Sequence, residues 1–158
     1  ALKDNGIPAK LVHSDNYYRI LPKERNEWRK ARGADSIGLA EYDWDSIHRT
    51  LDDFRNGRKA QMPCIDLITD QVDTLATDFS EIDLLVLDGL YAIAAENLDL
   101  RVFIDLTYHE TKKAQLLRGK EQVNEWRMTV LEQEHRAIRP LREKADLIVT
   151  GSYTVKTV

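Results

Sequence analysis

Apolar and polar positions alternate along this chain in blocks that change period. Residues 9–14 are short and mostly apolar, ending at Ser14-Asp15, and read as a strand. Residues 22–32 are highly charged, and Pro22 suits a first helical position. Trp28 is the one large apolar residue there, so this helix is expected to be exposed or mobile. Ser36 to Tyr42 reads as a loop. Asp43 opens a helix to about Asn56, with Ile47, Leu51 and Phe54 on one face, and Gly57 ends it. Gln61–Thr69 and Val72–Phe79 form a weak hairpin pattern. The run Leu84-Leu-Val-Leu-Asp88 is a strand that ends in an acid, with Gly89 next. A short helix is expected at 90–95, a strand at 100–106 ending near Asp105, and a helix at 107–117. One long helix is expected over 121–144, with Val123, Trp126, Val130 and Leu131 on its apolar face, and a last strand at 145–150, stopped by Gly151. Strands that alternate with helices predict an α/β protein with a parallel sheet and crossover helices.

The 158 residues suit one domain with its own core. A net charge of −4, with both signs mixed along the length, gives no reason to expect a nucleic-acid partner. The single cysteine, Cys64, cannot form an internal disulfide, which points to a reducing, cytoplasmic setting. After Pro63 it reads as buried filler. No apolar run approaches the ~20 residues of a membrane helix, and no signal peptide is visible. Ala1 to Pro8 reads as the last turn of a helix, with Gly6 as its stop, so the chain is expected to be part of a longer protein.

Candidate chemistry gathers at strand ends. Parallel strands bury both faces and read as continuous apolar runs, and ligands collect at their carboxyl ends. Asp88 stands where a phosphate-handling enzyme places a magnesium-organising carboxylate; the competing reading is an Asp-Gly turn. Asp15 ends another strand and is followed by Asn16-Tyr17-Tyr18, or it caps a turn with Asn16. His13, inside a strand, reads as a structural histidine. His135, near Glu132, lacks the second histidine of a metal site. Lys112 and Lys113 read as a solvated face. The phosphate-cradling signature G-x-x-x-x-G-K-[ST] is absent. Around Gly119-Lys120, Ala114 and Glu121 occupy the places of its first glycine and its hydroxyl.

Six segments, in order, resemble the uridine kinase and phosphoribulokinase group of P-loop kinases over nearly the whole chain. They are Asp15-Asn-Tyr-Tyr18, Tyr42-Asp-Trp-Asp-Ser-Ile47, Gly57 to Met62-Pro-Cys-Ile-Asp66, Leu87-Asp-Gly-Leu90, Arg118-Gly119 and Ala145-Asp-Leu-Ile-Val149. The resemblance implies a three-layer, P-loop kinase-like parallel sheet with flanking helices, lacking its first strand and phosphate loop. It implies a lid at about 107–130 and transfer of the γ-phosphoryl group of ATP to an alcohol. By the same resemblance Asp15 is the base, Asp88 holds Mg²⁺ through water, and Arg118 is a lid cation on the phosphates. Asp88 replaces a more usual Glu. Asp43, Asp66, Tyr17, Tyr18 and Arg127 become candidate substrate contacts. Asp43 is equally a helix cap, with Asp45 as its rival, and one of the two tyrosines is expected in the core.

The chain departs from the group's nucleoside kinases where they hold the base. Ile65 and Asp70 occupy the places of a Tyr and a His, and Glu125 or Trp126 falls where a Gln-Tyr pair is usual. A binding or assembly module that has lost its phosphate loop is the first alternative. A kinase for a non-nucleoside acceptor, phosphoribulokinase-like or pantothenate kinase-like, is the second. A small alcohol and ATP are the expected partners, and the reading admits a homo-oligomer.

Overall fold

The computed structural model describes residues 2–66, 68–69, 71–111 and 124–158. Its contacts group into two compact units, residues 1–26 with 41–97 and residues 27–40 with 98–158.

The first unit is built on β1 (Ala9–His13), α2 (Trp44–Arg55), β2 (Lys59–Asp66), β3 (Gln71–Asp78) and β4 (Leu84–Asp88). Strands β1 and β4 pair in parallel, in a register that runs from Ala9↔Leu84 to His13↔Asp88. The expected hairpin is present: β2 and β3 pair antiparallel from Lys59↔Asp78 to Asp66↔Gln71. Pro63 survives inside β2 because successive N–H groups point to opposite edges. Its missing donor falls on the edge facing away from β3, the same edge as the Ile65 N–H.

Helix α2 starts where the sequence placed it. The Asp43 side chain accepts the Ser46 N–H at 3.2 Å, so it caps the helix. Ile47 and Leu51 bury its apolar face, and Phe54 meets Phe79 edge-on at 5.6 Å. Gly57, at φ +60°, takes the left-handed turn after the helix. Between 90 and 95 the chain forms a short 3₁₀ turn, Ala92–Ala94, in place of the expected helix.

The second unit holds β5 (Val102–Asp105), α3 (Glu125–Ile138), β6 (Leu147–Thr150) and β7 (Val155–Thr157). β5 and β6 are parallel, and β7 folds back antiparallel on β6. β7 was not expected; its three residues are all exposed, and so short a run carries no alternating pattern. The long helix expected over 121–144 ends at Ile138, and a 3₁₀ segment, Arg139–Lys144, follows. Pro140 explains the change, since it cannot donate the next helical hydrogen bond. Residues 108–111 are helical, Thr107 is not, and residues 112–117 of the expected helix lie outside the described residues, as does Val123.

Helix α1 (Pro22–Arg32) matches its expected span. Most of it is exposed, as its composition suggests, with one buried exception. Arg29 is buried, and its Nη2 donates to Glu134 Oε1 of α3 at 3.2 Å. A charged residue, absent from any apolar pattern, anchors this helix.

Candidate functional site

Asp15 and Asp88 come to the same end of one parallel pair. Asp88 is the last residue of β4, and its register partner is His13, the last of β1. Asp15 follows two residues later, in the 3₁₀ turn Ser14–Tyr17. Both acids are exposed. The placement follows from the pattern that identified the strands, because each apolar run stops where the backbone leaves the sheet.

Several contacts fix this end. His13 Nδ1 lies 3.2 Å from Asp88 Oδ2, with side chains 55% and 65% exposed. His13, read from the sequence as a structural histidine, has a hydrogen-bond partner and is exposed. It stands at the strand tip beside the proposed magnesium-organising acid. Gly89, at φ +151°, passes over Ser14 so closely that a Cβ on it would fall 1.8 Å from Ser14 Oγ. The Tyr42 hydroxyl donates to Asp15 Oδ1 at 3.4 Å. Tyr42 is fully buried, and burial above all pushes its phenol far above the ordinary value of 10.0, so it stays a neutral donor.

The turn that carries Asp15 is held on both sides. The Tyr17 carbonyl accepts the Asp43 N–H at 2.8 Å, and the Arg19 N–H donates to the Glu41 carbonyl at 2.8 Å. Arg19 Nε donates to the Tyr42 carbonyl at 3.0 Å. The Tyr17 hydroxyl meets Thr50 Oγ1 at 2.9 Å, and Tyr17 is 2% exposed. Tyr17 is thus the core member of the tyrosine pair and is not open to a substrate. Tyr18 is half-buried, lies 4.1 Å from the Tyr42 ring, and carries the Arg25 guanidinium over its own ring at 3.4 Å.

Asp43 spends one carboxylate oxygen on the helix cap, while Asp45 is exposed. Asp66 Oδ1 accepts the N–H groups of Ile68 and Thr69 at 2.8 and 3.4 Å. It thereby forms the turn at the hairpin tip, and the Ile68 N–H is the main cause that holds its carboxyl below the ordinary value. Arg127 belongs to the second unit, where its Nη1 is 3.9 Å from Glu134 and its N–H is accepted by the capping Asn124. Arg118, Gly119, Lys120, Lys112, Lys113 and Asp70 lie outside the described residues.

Among the described residues no group of three or more His, Cys, Asp or Glu side chains could hold a metal ion. Asp88 fits the lighter demand of Mg²⁺, which keeps most of its waters and needs one or two carboxylates beside substrate phosphates. Its side chain is open to solvent, and His13 engages one of its two oxygens.

Sequence reasoning had placed the two acids but not their supports. His13, Ser14, Asn16 and Tyr42 were all inside segments singled out for other reasons. The register rule offered a signal for His13, since residues at the tips of adjacent parallel strands face each other. Nothing in the spacing pointed to Tyr42, which arrives from 27 positions away.

The Phosphoribulokinase / Uridine kinase family model matches residues 4–158. A uridine kinase of Ureaplasma urealyticum is 26% identical over 151 residues, covering 88% of this chain and 72% of that protein. A uridine kinase of Mycoplasma pneumoniae is 22% identical over 157 residues, with 92% and 73% covered. Among solved structures, the phosphoribulokinase from Rhodobacter spheroides aligns with a TM-score of 0.70 at 13% identity, covering 94% of this chain. The chain spans 62% of that phosphoribulokinase. A possible uridine kinase from Bacillus stearothermophilus aligns with a TM-score of 0.58 at 15% identity, with 93% and 74% covered. These structures share the fold of P-loop kinases. No helix among the described residues is long and apolar enough to cross a membrane.

Proposed function

The chain belongs to the phosphoribulokinase / uridine kinase family, and from that premise we propose that it carries the acceptor side of an ATP-dependent small-molecule kinase. The observation that carries the reading is the shared strand-tip position of Asp15 and Asp88 across the β1–β4 pair.

In the proposed reaction the acceptor hydroxyl oxygen attacks the γ-phosphorus of ATP. The bond to the β–γ bridging oxygen breaks, ADP leaves, and the acceptor's proton passes to an Asp15 carboxylate oxygen. Tyr42 supports this by donating to Oδ1, which fixes the carboxylate's rotation. The Tyr17–Thr50 and Asp43–Tyr17 bonds keep the turn from moving as charge develops. Asp88 would hold Mg²⁺ through water, with His13 orienting its carboxylate. When bound, the ion neutralises charge on the transferring phosphates. Arg118 takes the role of lid cation in this reading, and Tyr18 and Asp43 flank the acceptor.

The resemblance drawn from the sequence favours an acceptor other than a nucleoside. By it, Ile65, which is half-buried on β2, takes the place of a tyrosine that the group's nucleoside kinases present. An aliphatic side chain gives no ring to stack on a base, so a smaller polyol or sugar-like alcohol suits the position better.

The test is Asp15→Asn in the intact protein, with ADP release measured against a panel of alcohols. Turnover should fall by roughly 10²–10⁴-fold, the usual contribution of a general base, with ATP affinity little changed. Turnover equal to that of the unsubstituted protein would remove Asp15 from the mechanism.

A further inference from the structure

The distal half of the β2–β3 hairpin is fastened to the turn that carries Asp15. Asn16 Oδ1 accepts the backbone N–H of Ile65 at 3.2 Å. The two residues are 49 positions apart, and both belong to the first unit. The near half of β2 needs no such help, because Ala60 and Met62 are buried at 2% and 3% exposure. Beyond Met62 the strand rises out of the core: Pro63, Cys64, Ile65 and Asp66 are all half-buried, and the partner strand β3 is exposed along nearly its whole length. A two-stranded ribbon of this kind has little apolar burial to hold its far end.

The geometry of the bond is specific. In an antiparallel pair, alternate residues turn their N–H and C=O groups away from the partner strand. Ile65 and Pro63 share that outward edge. Pro63 has no N–H to offer, so the Ile65 N–H is the donor at this level that a neighbouring group can take. Asn16 meets it from a turn that is itself fixed, by Tyr17 on Thr50 and by the Asp43 N–H on the Tyr17 carbonyl.

We propose that Asn16 is a positioning residue for the phosphoryl acceptor: it locks the hairpin segment around Ile65 to the Asp15 turn, so that the wall beside the acceptor and the base that deprotonates it move as one piece. The proposal rests on the kinase reading given above and adds to it a determinant of acceptor affinity. Asn16 touches neither reacting group. It acts through the placement of Ile65, and so the expected signature is in acceptor KM and not in ATP KM.

Two variants and two readouts test this. In Asn16→Ala, exchange of the Ile65 amide proton should speed up about fivefold, as expected for loss of a hydrogen bond worth ~1 kcal/mol. With the best acceptor from a panel of uridine, ribulose 5-phosphate and pantothenate, acceptor KM should rise about fivefold to tenfold by the same loss. ATP KM should not change. Asn16→Asp keeps an acceptor oxygen at the same reach and should restore both the amide protection and the KM. Unchanged Ile65 exchange in Asn16→Ala would overturn the tether. Faster exchange with an unaltered acceptor KM, in a protein that Asp15→Asn inactivates, would overturn the positioning role and leave the kinase reading standing. No turnover with these three or with any alcohol of the panel used for Asp15→Asn would remove both.

Discussion

Gly89 and Ser14, each the first residue past a strand, meet closely: a Cβ on Gly89 would lie 1.8 Å from Ser14 Oγ and 3.0 Å from Ser14 Cβ. Ser14 is fully buried, so it has nowhere to retreat. Gly89 also sits at φ +151°, a conformation that disfavours any side chain. The glycine after Asp88 is therefore what lets the two acid-bearing strand ends close on each other.

Gly89→Ala should cost on the order of 3 kcal/mol, the sum of a backbone strain and a forced shift of Ser14. Part of this should return in the double variant Ser14→Ala/Gly89→Ala, which removes the 1.8 Å clash but keeps the φ strain. Denaturant midpoints of the two single variants and the double variant measure the coupling. Fully additive losses would show that the two residues do not meet in solution.

Tyr42→Phe isolates the hydroxyl that holds Asp15. The ring stays, with its contacts to Tyr18 at 4.1 Å, to Trp44 at 5.5 Å and to Tyr91 at 5.6 Å. The lost bond, long at 3.4 Å, should cost about 1 kcal/mol of stability. Turnover should drop about fivefold as the carboxylate gains rotational freedom, with ATP KM unchanged. Burial keeps the phenol protonated, so no part of this difference should vary between pH 6 and 9. A pH-dependent ratio of the two proteins' rates would contradict that.

Strand ends and helix α2 were legible in the sequence because local rules determine them. An apolar run must stop where it leaves the sheet, and Asp43 can cap only the helix that follows it. The hairpin was weakly legible for the opposite reason. β3 is exposed on both faces, so no alternation of burial had to be written into Gln71–Asp78. Arg29 was invisible, since a buried guanidinium is acceptable only with its partner, and Glu134 is 105 residues away. Asp66 was singled out as a substrate contact by its place in a motif, whereas its bonds to Ile68 and Thr69 are those of a turn former. Sequence supplies residue types at strand tips; which oxygens are already spent depends on the folded backbone.

Asp66 should make the hairpin tip sensitive to acid. The Ile68 N–H is the largest cause of its lowered carboxyl pKa, followed by the Thr69 side chain. A carboxyl whose folded value lies below its ordinary 3.8 contributes stability above that value. The contribution is lost as pH falls below 3.8 and through the folded value. Amide exchange at Ile68 and Thr69 should therefore rise, relative to the rest of the chain, on going below that pH. Asp66→Asn keeps a neutral acceptor and should abolish the dependence while leaving the tip ordered at pH 7. If exchange at both amides stays flat with pH in the unsubstituted protein, the side chain does not form the turn.

The Arg29–Glu134 pair sets the expected order of a last series of variants. Their side chains are 8% and 14% exposed, and Arg127, at 25%, lies 3.9 Å from the same carboxylate. Removing one partner of a buried pair strands the other charge, a loss of about 3–5 kcal/mol where burial is complete. Glu134→Ala should approach the lower end of that range, because it deprives two guanidinium groups at once. Arg127→Ala should cost less than about 1 kcal/mol, as expected of a partly exposed pair at that distance. Replacing both members, Arg29→Met with Glu134→Leu, should recover most of the loss, since the one guanidinium left beside the site, that of Arg127, is partly exposed to solvent. Thermal midpoints rank the variants. If the apolar double variant is no better than Glu134→Ala, then the pair is held for something other than mutual neutralisation, and the anchoring role given to Arg29 in α1 fails with it.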